Sequence, residues 1–157
     1  MNGDAKSKLA EVLERRARDK AAAAVEQLAR VAAESQKEAH REAIRRRWTL
    51  AKEEIGAAVD AVNAEIAATG MSLSWSEKPR GDDHAGLAQL FITLEEEGYT
   101  KERQVVFNVS ALGLVQPVTL IPHTGRKIPD FKIDEVAPDH YEGVIVDFID
   151  QCVSKKP

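Results

Sequence analysis

Residues 4–69 read DAKSKLAEVLERRARDKAAAAVEQLARVAAESQKEAHREAIRRRWTLAKEEIGAAVDAVNAEIAAT. The first 70 residues hold nineteen of the chain's twenty-three alanines and none of its six prolines. Ala, Glu, Arg, Lys and Leu, which dominate this stretch, are the residues that lose least conformational freedom on entering a helix. The composition therefore predicts a long N-terminal helix, with Asp4 or Ser7 as its N-cap and Gly70 as the left-handed residue after its last turn.

The apolar pattern divides this helix into two parts. A bulky stripe follows the three- and four-residue spacing of an amphipathic helix and comprises Ile44, Trp48, Ala51, Ile55, Ala58 or Val59, Val62 and Ile66. When the same spacing is continued upstream of residue 43, it falls on charged residues. A separate apolar stripe lies there and comprises Leu9, Val12, Leu13, Ala21, Val25, Leu28 and Ala32. The polar residues 34–38 lie between the two. This phase break is compatible with a kink, with a hairpin, or with a straight helix whose halves face different partners.

The remaining 87 residues carry the pattern of a sheet and a second helix. Alternation of apolar and polar residues predicts strands at 71–76, 88–94, 103–110 and 114–121, with a short fifth strand at 131–133. Pro117 requires an edge position or a bulge in the fourth strand, and Trp75 is expected to anchor the core. From Pro138 onward one apolar face predicts a terminal helix to about residue 154.

These elements predict an α+β fold. Its parts are a long N-terminal helix (straight, kinked or hairpinned), a four- to five-stranded antiparallel β-meander and a C-terminal amphipathic helix, joined in a two-layer core. Residues 1–43 are expected to form an extended helical arm. Residues 44–157, which include the C-terminal half of the long helix, are expected to form an α+β head.

The length of the helix limits what the arm can do. An unbroken helix over 66 residues would be about 99 Å long at 1.5 Å per residue. A globule of the other 87 residues has a radius of gyration of only about 12 Å. The arm must therefore fold back, pair with another chain or remain solvated. We expect a homo-oligomer, with a dimer favoured, whose partner-binding residues are Leu9, Val12, Leu13, Val25 and Leu28.

Composition excludes several classes of protein. The formal net charge of −4 and a pI near 5.6 argue against a general binder of nucleic acid or anionic membranes. The single cysteine, Cys152, excludes an internal disulfide and is expected to be a buried, inert thiol. No secretory signal or apolar stretch long enough to span a bilayer is recognised. We therefore expect a cytoplasmic setting.

The most ligand-like residues are Asp82, Asp83 and His84, with His123 and His140 in or beside other loops of the head. Carboxylates and imidazoles suit zinc, iron or manganese. No spacing among these residues matches a known metal site, and a charged loop between strands accounts for them equally well. They are weak candidates, and neither a metal nor a cofactor is predicted.

Lys37, Arg41, Arg45 and Lys52 share a helix face beside Trp48 and could contact phosphates. The competing interpretation is a solvated stripe, partly neutralised by neighbouring glutamates, with Trp48 in the core. The acidic balance of the chain favours the solvated stripe. No catalytic residue is predicted, because Cys152 lies on an apolar face and no serine lies in a Gly-x-Ser-x-Gly context.

The leading hypothesis for function is a non-enzymatic interaction or scaffold protein that oligomerises through its arm and presents its head. The alternative is a small-ligand-binding or regulatory sensing domain with a pocket between sheet and helices. A metal-dependent enzyme and a nucleic-acid binder rank below both.

Overall fold

The computed structural model describes residues 2–79, 86–122 and 126–154. The long helix α1 spans Gly3–Ile66 and is followed by a 3₁₀ turn at Ala67–Thr69. Five strands follow, and they are β1 (Met71–Pro79), β2 (Gly86–Glu96), β3 (Gln104–Ser110), β4 (Leu114–Leu120) and β5 (Phe131–Lys132). The last element is the helix α2, Asp139–Val153. The predicted α+β class and order of elements are confirmed.

The chain divides into two compact units, Met1–His40 and Arg41–Pro157. In the first, every described residue is exposed and α1 is the only element described. This helix begins two residues earlier than an N-cap at Asp4 would place it, because the Asn2 side chain accepts a hydrogen bond from the backbone N–H of Ala5 at 2.7 Å. Asn2 therefore occupies the capping role that the sequence assigned to Asp4 or Ser7.

In the second unit, the five strands form one antiparallel sheet in the order β1-β2-β3-β4-β5. Gly70 and Gly98, with φ of 81° and 79°, lie where α1 gives way to β1 and β2 turns toward β3. Both are left-handed conformations that glycine adopts without steric cost. The predicted antiparallel meander is thus confirmed.

One face of the sheet is apolar because alternate residues point to the same side. The register aligns Leu90 with Phe107 and Phe107 with Pro117, so that this row crosses the three central strands. Ile92 pairs with Val105 in the next row. All five of these side chains are buried.

Pro117 lies where the sheet needs no hydrogen bond from it. β5 pairs with β4 only at Leu114 and Val115, so in the described residues no strand lies on the outer side of Pro117. The missing N–H of proline is tolerated on such an edge. The edge position predicted for Pro117 is therefore correct.

Both helices contribute to a single hydrophobic core against this face of the sheet. From α1 the buried residues are Ile44, Trp48, Ala51, Ile55, Ala58, Val59 and Val62. From α2 the buried apolar residues are Tyr141, Val144, Ile145, Phe148 and Cys152. Ile66 is only half-buried. The two-layer arrangement places the bulky stripe of α1 as predicted.

A side chain of α1 covers the edge of β1 at Leu73. The Asn63 amide donates to the carbonyl oxygen of Leu73 at 3.0 Å and accepts from the Leu73 N–H at 2.7 Å. Both backbone groups that Leu73 turns away from β2 are thereby satisfied. At this position the edge of β1 therefore offers no free hydrogen-bonding group to another strand.

A further contact attaches β1 to α1. The ring of Trp75 lies over Gly56, with its Cζ2 3.5 Å from the position that a Cβ there would take. Trp75 is nevertheless 39% exposed, so the prediction that it anchors the core is wrong. Its ring covers a helix glycine at the margin of the core, where water reaches the other side of the ring.

We expect Ile55→Ala to lower the free energy of unfolding by about 2–4 kcal/mol, because it leaves a cavity among fully buried side chains. Ile55 has no exposed surface, whereas Leu112, the control, is 72% exposed. Leu112→Ala should change stability by less than about 0.5 kcal/mol. Urea unfolding measures both, and equal losses would contradict the assignment of the core.

A second comparison tests the turn between β3 and β4. Gly113 has φ of 92°, and a Cβ there would lie 2.8 Å from Cδ1 of Ile44 and 3.2 Å from Cγ2 of Ile133. Gly98 has φ of 79° with nothing within 4 Å of its Cβ position. Both Gly→Ala changes force a left-handed alanine, at about 1–2 kcal/mol.

Only Gly113→Ala adds overpacking, which costs a further 1–3 kcal/mol or so. Thermal unfolding should therefore show the larger loss for Gly113→Ala. Equal losses at the two glycines would mean that Ile44 and Ile133 do not close over this turn.

Candidate interaction surfaces

A row of large apolar side chains on α1 is open to solvent. It consists of Leu9, Val12, Leu13, Val25, Leu28 and Val31, and we call it the arm stripe. The exposed fractions of these side chains lie between 40% and 70%. The first five are the partner-binding residues expected from the sequence, and Val31 is an addition that the sequence analysis missed. Exposed apolar groups collected on one element are typical of interaction surfaces.

A second open surface lies in the C-terminal unit, between α1 and α2. Two neighbouring cavities of about 520 and 360 Å³ share Glu142, and together we call them the helix groove. Apolar side chains line most of it, among them Leu50, Ala57, Ala61, Val62, Val146 and Ile149. Both helices turn their buried faces to the sheet, and the groove follows the seam between their outer flanks.

The rim of the helix groove is acidic. Its carboxylates belong to Glu53, Glu54, Glu65, Asp139 and Glu142. Glu54 accepts two hydrogen bonds from the Arg47 guanidinium, each at 3.2 Å. For the other four, no ion pair occurs within the described ranges of the chain. The groove therefore combines an apolar floor with uncompensated negative charge.

Sequence reasoning missed this groove for a physical reason. Glu54 and Glu142 lie next to the core residues Ile55 and Tyr141 on their own helices, and charged residues at such positions are typical of an ordinary solvated flank. Only the packing of α2 beside α1 brings the two flanks together. The available signal was the acidic start of α2, where Asp139 and Glu142 lie in the first turn.

The outer face of the sheet carries a smaller apolar patch. Val106 is buried there between its register partners Phe91 and Val118. Leu120 and Leu114 extend the patch along β4 and are exposed. Amide side chains flank it, as in the hydrogen bond that Gln89 donates to the Asn108 oxygen at 2.7 Å.

The predicted basic stripe is partly neutralised. Lys52 contacts Glu77 at 3.1 Å and Arg45 contacts Glu42 at 3.3 Å. Trp48 is buried and donates its indole N–H to Glu77 at 2.6 Å. Its ring is therefore not presented at the surface for stacking against a base.

Of the weak metal candidates, Asp82, Asp83, His84 and His123 lie outside the described residues. His140 is described, and its ring packs edge-on against Phe131 with centroids 4.5 Å apart. Within the described part of the chain, no three His, Cys, Asp or Glu side chains converge as a metal site would require. Nor does any described helix have the length and apolarity to cross a membrane.

Burial raises the pKa values of two side chains of α2, a tyrosine and a cysteine. Burial raises the pKa of the Tyr141 phenol to about 12, with a smaller opposing effect from Arg47. Burial likewise raises the pKa of the Cys152 thiol to about 11, opposed weakly by Arg103. The buried thiol expected from the sequence is confirmed, and at neutral pH it is protonated and weakly nucleophilic.

Comparison of the chain with protein-family models, with curated proteins and with solved structures finds no match in any of the three. Function must therefore be inferred from the surfaces themselves.

The pKa shifts predict how stability depends on pH. The unfolded chain releases these protons near the ordinary pKa values of 9.0 for Cys152 and 10.0 for Tyr141, before the folded chain does. The two protonated side chains thus contribute fully to the free energy of unfolding below pH 9. As pH rises toward 12 the free energy of unfolding falls by on the order of 3 kcal/mol for each group.

Urea unfolding at pH 8 to 11.5 should show this loss. Tyr141→Phe should flatten the fall above pH 10, and Cys152→Ala should flatten it between pH 9 and 11. A wild-type stability that stays constant to pH 11 would contradict the burial of both groups.

Proposed function

We propose that the protein is a non-enzymatic interaction protein that forms a homo-oligomer, most simply a dimer, through the arm stripe. Its α+β head is then presented by the assembled arms. The observation that carries the proposal is the contrast between a closed core and an open stripe. Ile55, Leu90 and Phe148 have no exposed surface, while the arm stripe is at least 40% exposed throughout.

The energetics support pairing. Burying a whole Val or Leu side chain is worth about 1.5–3 kcal/mol, so burying the exposed half of six gives on the order of 5–9 kcal/mol per chain. Association costs about 4–15 kcal/mol, and a dimer buries two such stripes. The alanines between the large residues let two helix backbones approach closely and add further contact.

Helix stability argues in the same direction. Most helices in proteins are stabilised by packing of an apolar face rather than by helix propensity. In Met1–His40 no described element other than α1 is available to supply that packing. A second copy of the chain supplies it with an identical stripe, as two-fold dimers do.

A ligand-binding domain remains the alternative hypothesis. It was expected to hold its ligand between sheet and helices, where the described core is filled by buried side chains. The cavities described above lie instead between the two helices, on the side away from the sheet. No described residue set favours this alternative over the oligomer.

We expect light scattering at tens of micromolar to give an integral multiple of the 17.3 kDa chain mass, most simply twice it. Leu13→Lys with Leu28→Lys places charges in the arm stripe and should yield monomers. The matched control is Ala22→Lys with Ala33→Lys, which adds the same charge to exposed positions off the stripe.

A wild-type chain that is monomeric at this concentration, with its helix content intact by circular dichroism, would overturn the proposal. So would equal dissociation by the stripe and control variants, since that would indicate a general effect of added charge.

A further inference from the structure

The helix groove has the dimensions of a docking site for a helix. It follows α1 from Leu50 to Ile66, a span of about 24 Å at 1.5 Å per residue. A helix of about sixteen residues matches that length. Amphipathic helices commonly bind in such grooves by placing apolar side chains at three- and four-residue spacing on the floor.

The charge of the groove specifies the chemistry of its occupant. Glu53, Glu65, Asp139 and Glu142 carry no ion pair within the described residues. Burying them against an apolar or acidic helix would remove water from unpaired carboxylates, which is unfavourable. The occupant must therefore be an amphipathic helix with basic flanks.

The chain itself contains such a helix. Residues 6–20 hold six basic residues and three acidic ones, which gives a net charge of +3. The same segment carries Leu9, Val12 and Leu13, all exposed, so that its apolar face is available. Segment and groove are thus complementary in length, in apolarity and in charge.

The spacing of small residues supports the same pairing. Along α1 an eleven-residue pattern with steps of three, four and four connects Ala10, Leu13, Ala17, Ala21, Ala24 and Leu28. Continued down the chain, the same steps reach Leu50, Ala57 and Ala61, which line the groove. Eleven-residue repeats are a recognised basis for extended helix pairing.

We propose that residues 6–20 of one chain dock in the helix groove of a second copy, in antiparallel orientation. This rests on the proposed oligomer and names the surface that its arm contacts. In this register residues 6–20 of one chain run against residues 65–51 of the other, so the numbers of two facing residues add up to about 71. Leu13 then meets Ala57 and Ala58, Lys6 meets Glu65, and Arg18 meets Glu53.

An antiparallel pairing of this kind is reciprocal, because each chain offers one segment and one groove. The contact is made twice in a dimer, and it closes without leaving a groove open.

A matched pair of valine variants tests the groove in the full chain. Val146 and Val153 are 55% and 49% exposed and lie on the same helix, but only Val146 lines the groove. Val146→Lys should raise the dimer dissociation constant at least about tenfold, as loss of an interface residue does. Val153→Lys should leave it unchanged, and sedimentation equilibrium measures both.

Cysteine cross-linking tests the register. Leu13→Cys with Ala57→Cys should give a disulfide-linked dimer on oxidation, while the native Cys152 is buried and protonated. Ala22→Cys with Ala57→Cys, whose first cysteine lies off the stripe, should not. Leu13→Cys alone should not cross-link either, because the two Leu13 side chains are far apart in an antiparallel pair.

The results of these experiments distinguish a failure of the docking proposal from a failure of the proposed oligomer. A monomeric wild type would overturn both. A stable dimer that Val146→Lys and Val153→Lys affect equally, or that cross-links through Leu13→Cys alone, would overturn only the docking. A cross-link through Leu13→Cys alone would in addition indicate that the arms pair with each other in parallel.

Discussion

The fold depends on the apolar face that α1 presents between Ile44 and Val62. Five antiparallel strands expose one apolar face, which must be removed from water for the sheet to be stable. α1 covers that face and also satisfies the outward backbone groups of Leu73, on β1, through Asn63. The small Gly56 leaves room for Trp75 at the same contact. α2 completes the cover, with Phe148 fully buried against the sheet.

The same helix has a second apolar face that its own chain leaves exposed. Downstream, the large residues Ile, Trp and Val recur at core spacing and are buried. Upstream, Leu and Val are separated by alanines and are exposed. Helix formation alone does not account for the Leu and Val residues upstream, because Ala, Glu, Lys and Arg would serve as well or better. The proposed function rests on this excess of apolar side chains over what a solvated helix needs.

Much of the fold could be predicted because periodicity is a local signal. The bulky stripe of α1, the alternating strands and the edge position of Pro117 all follow from the spacing of a few neighbouring residues. Trp75 was misplaced because its burial depends on a glycine nineteen positions upstream, at Gly56. The acidic rim of the groove was missed for the same reason, since Glu53 and Glu142 come together only through packing. The sequence predicts Asp4 or Ser7 as the N-cap of α1, whereas the cap is Asn2.

The central claim is that the N-terminal part of α1 is stabilised by a second copy of the chain. Hydrogen exchange of the full-length protein, followed by mass spectrometry over a hundredfold range of concentration, tests it most directly. If the claim holds, peptides within residues 4–40 gain protection as concentration rises, together with those from 50–66 and 139–153. Peptides from β2 and β3 should stay equally protected throughout. Protection of residues 4–40 that is weak and independent of concentration would contradict the account.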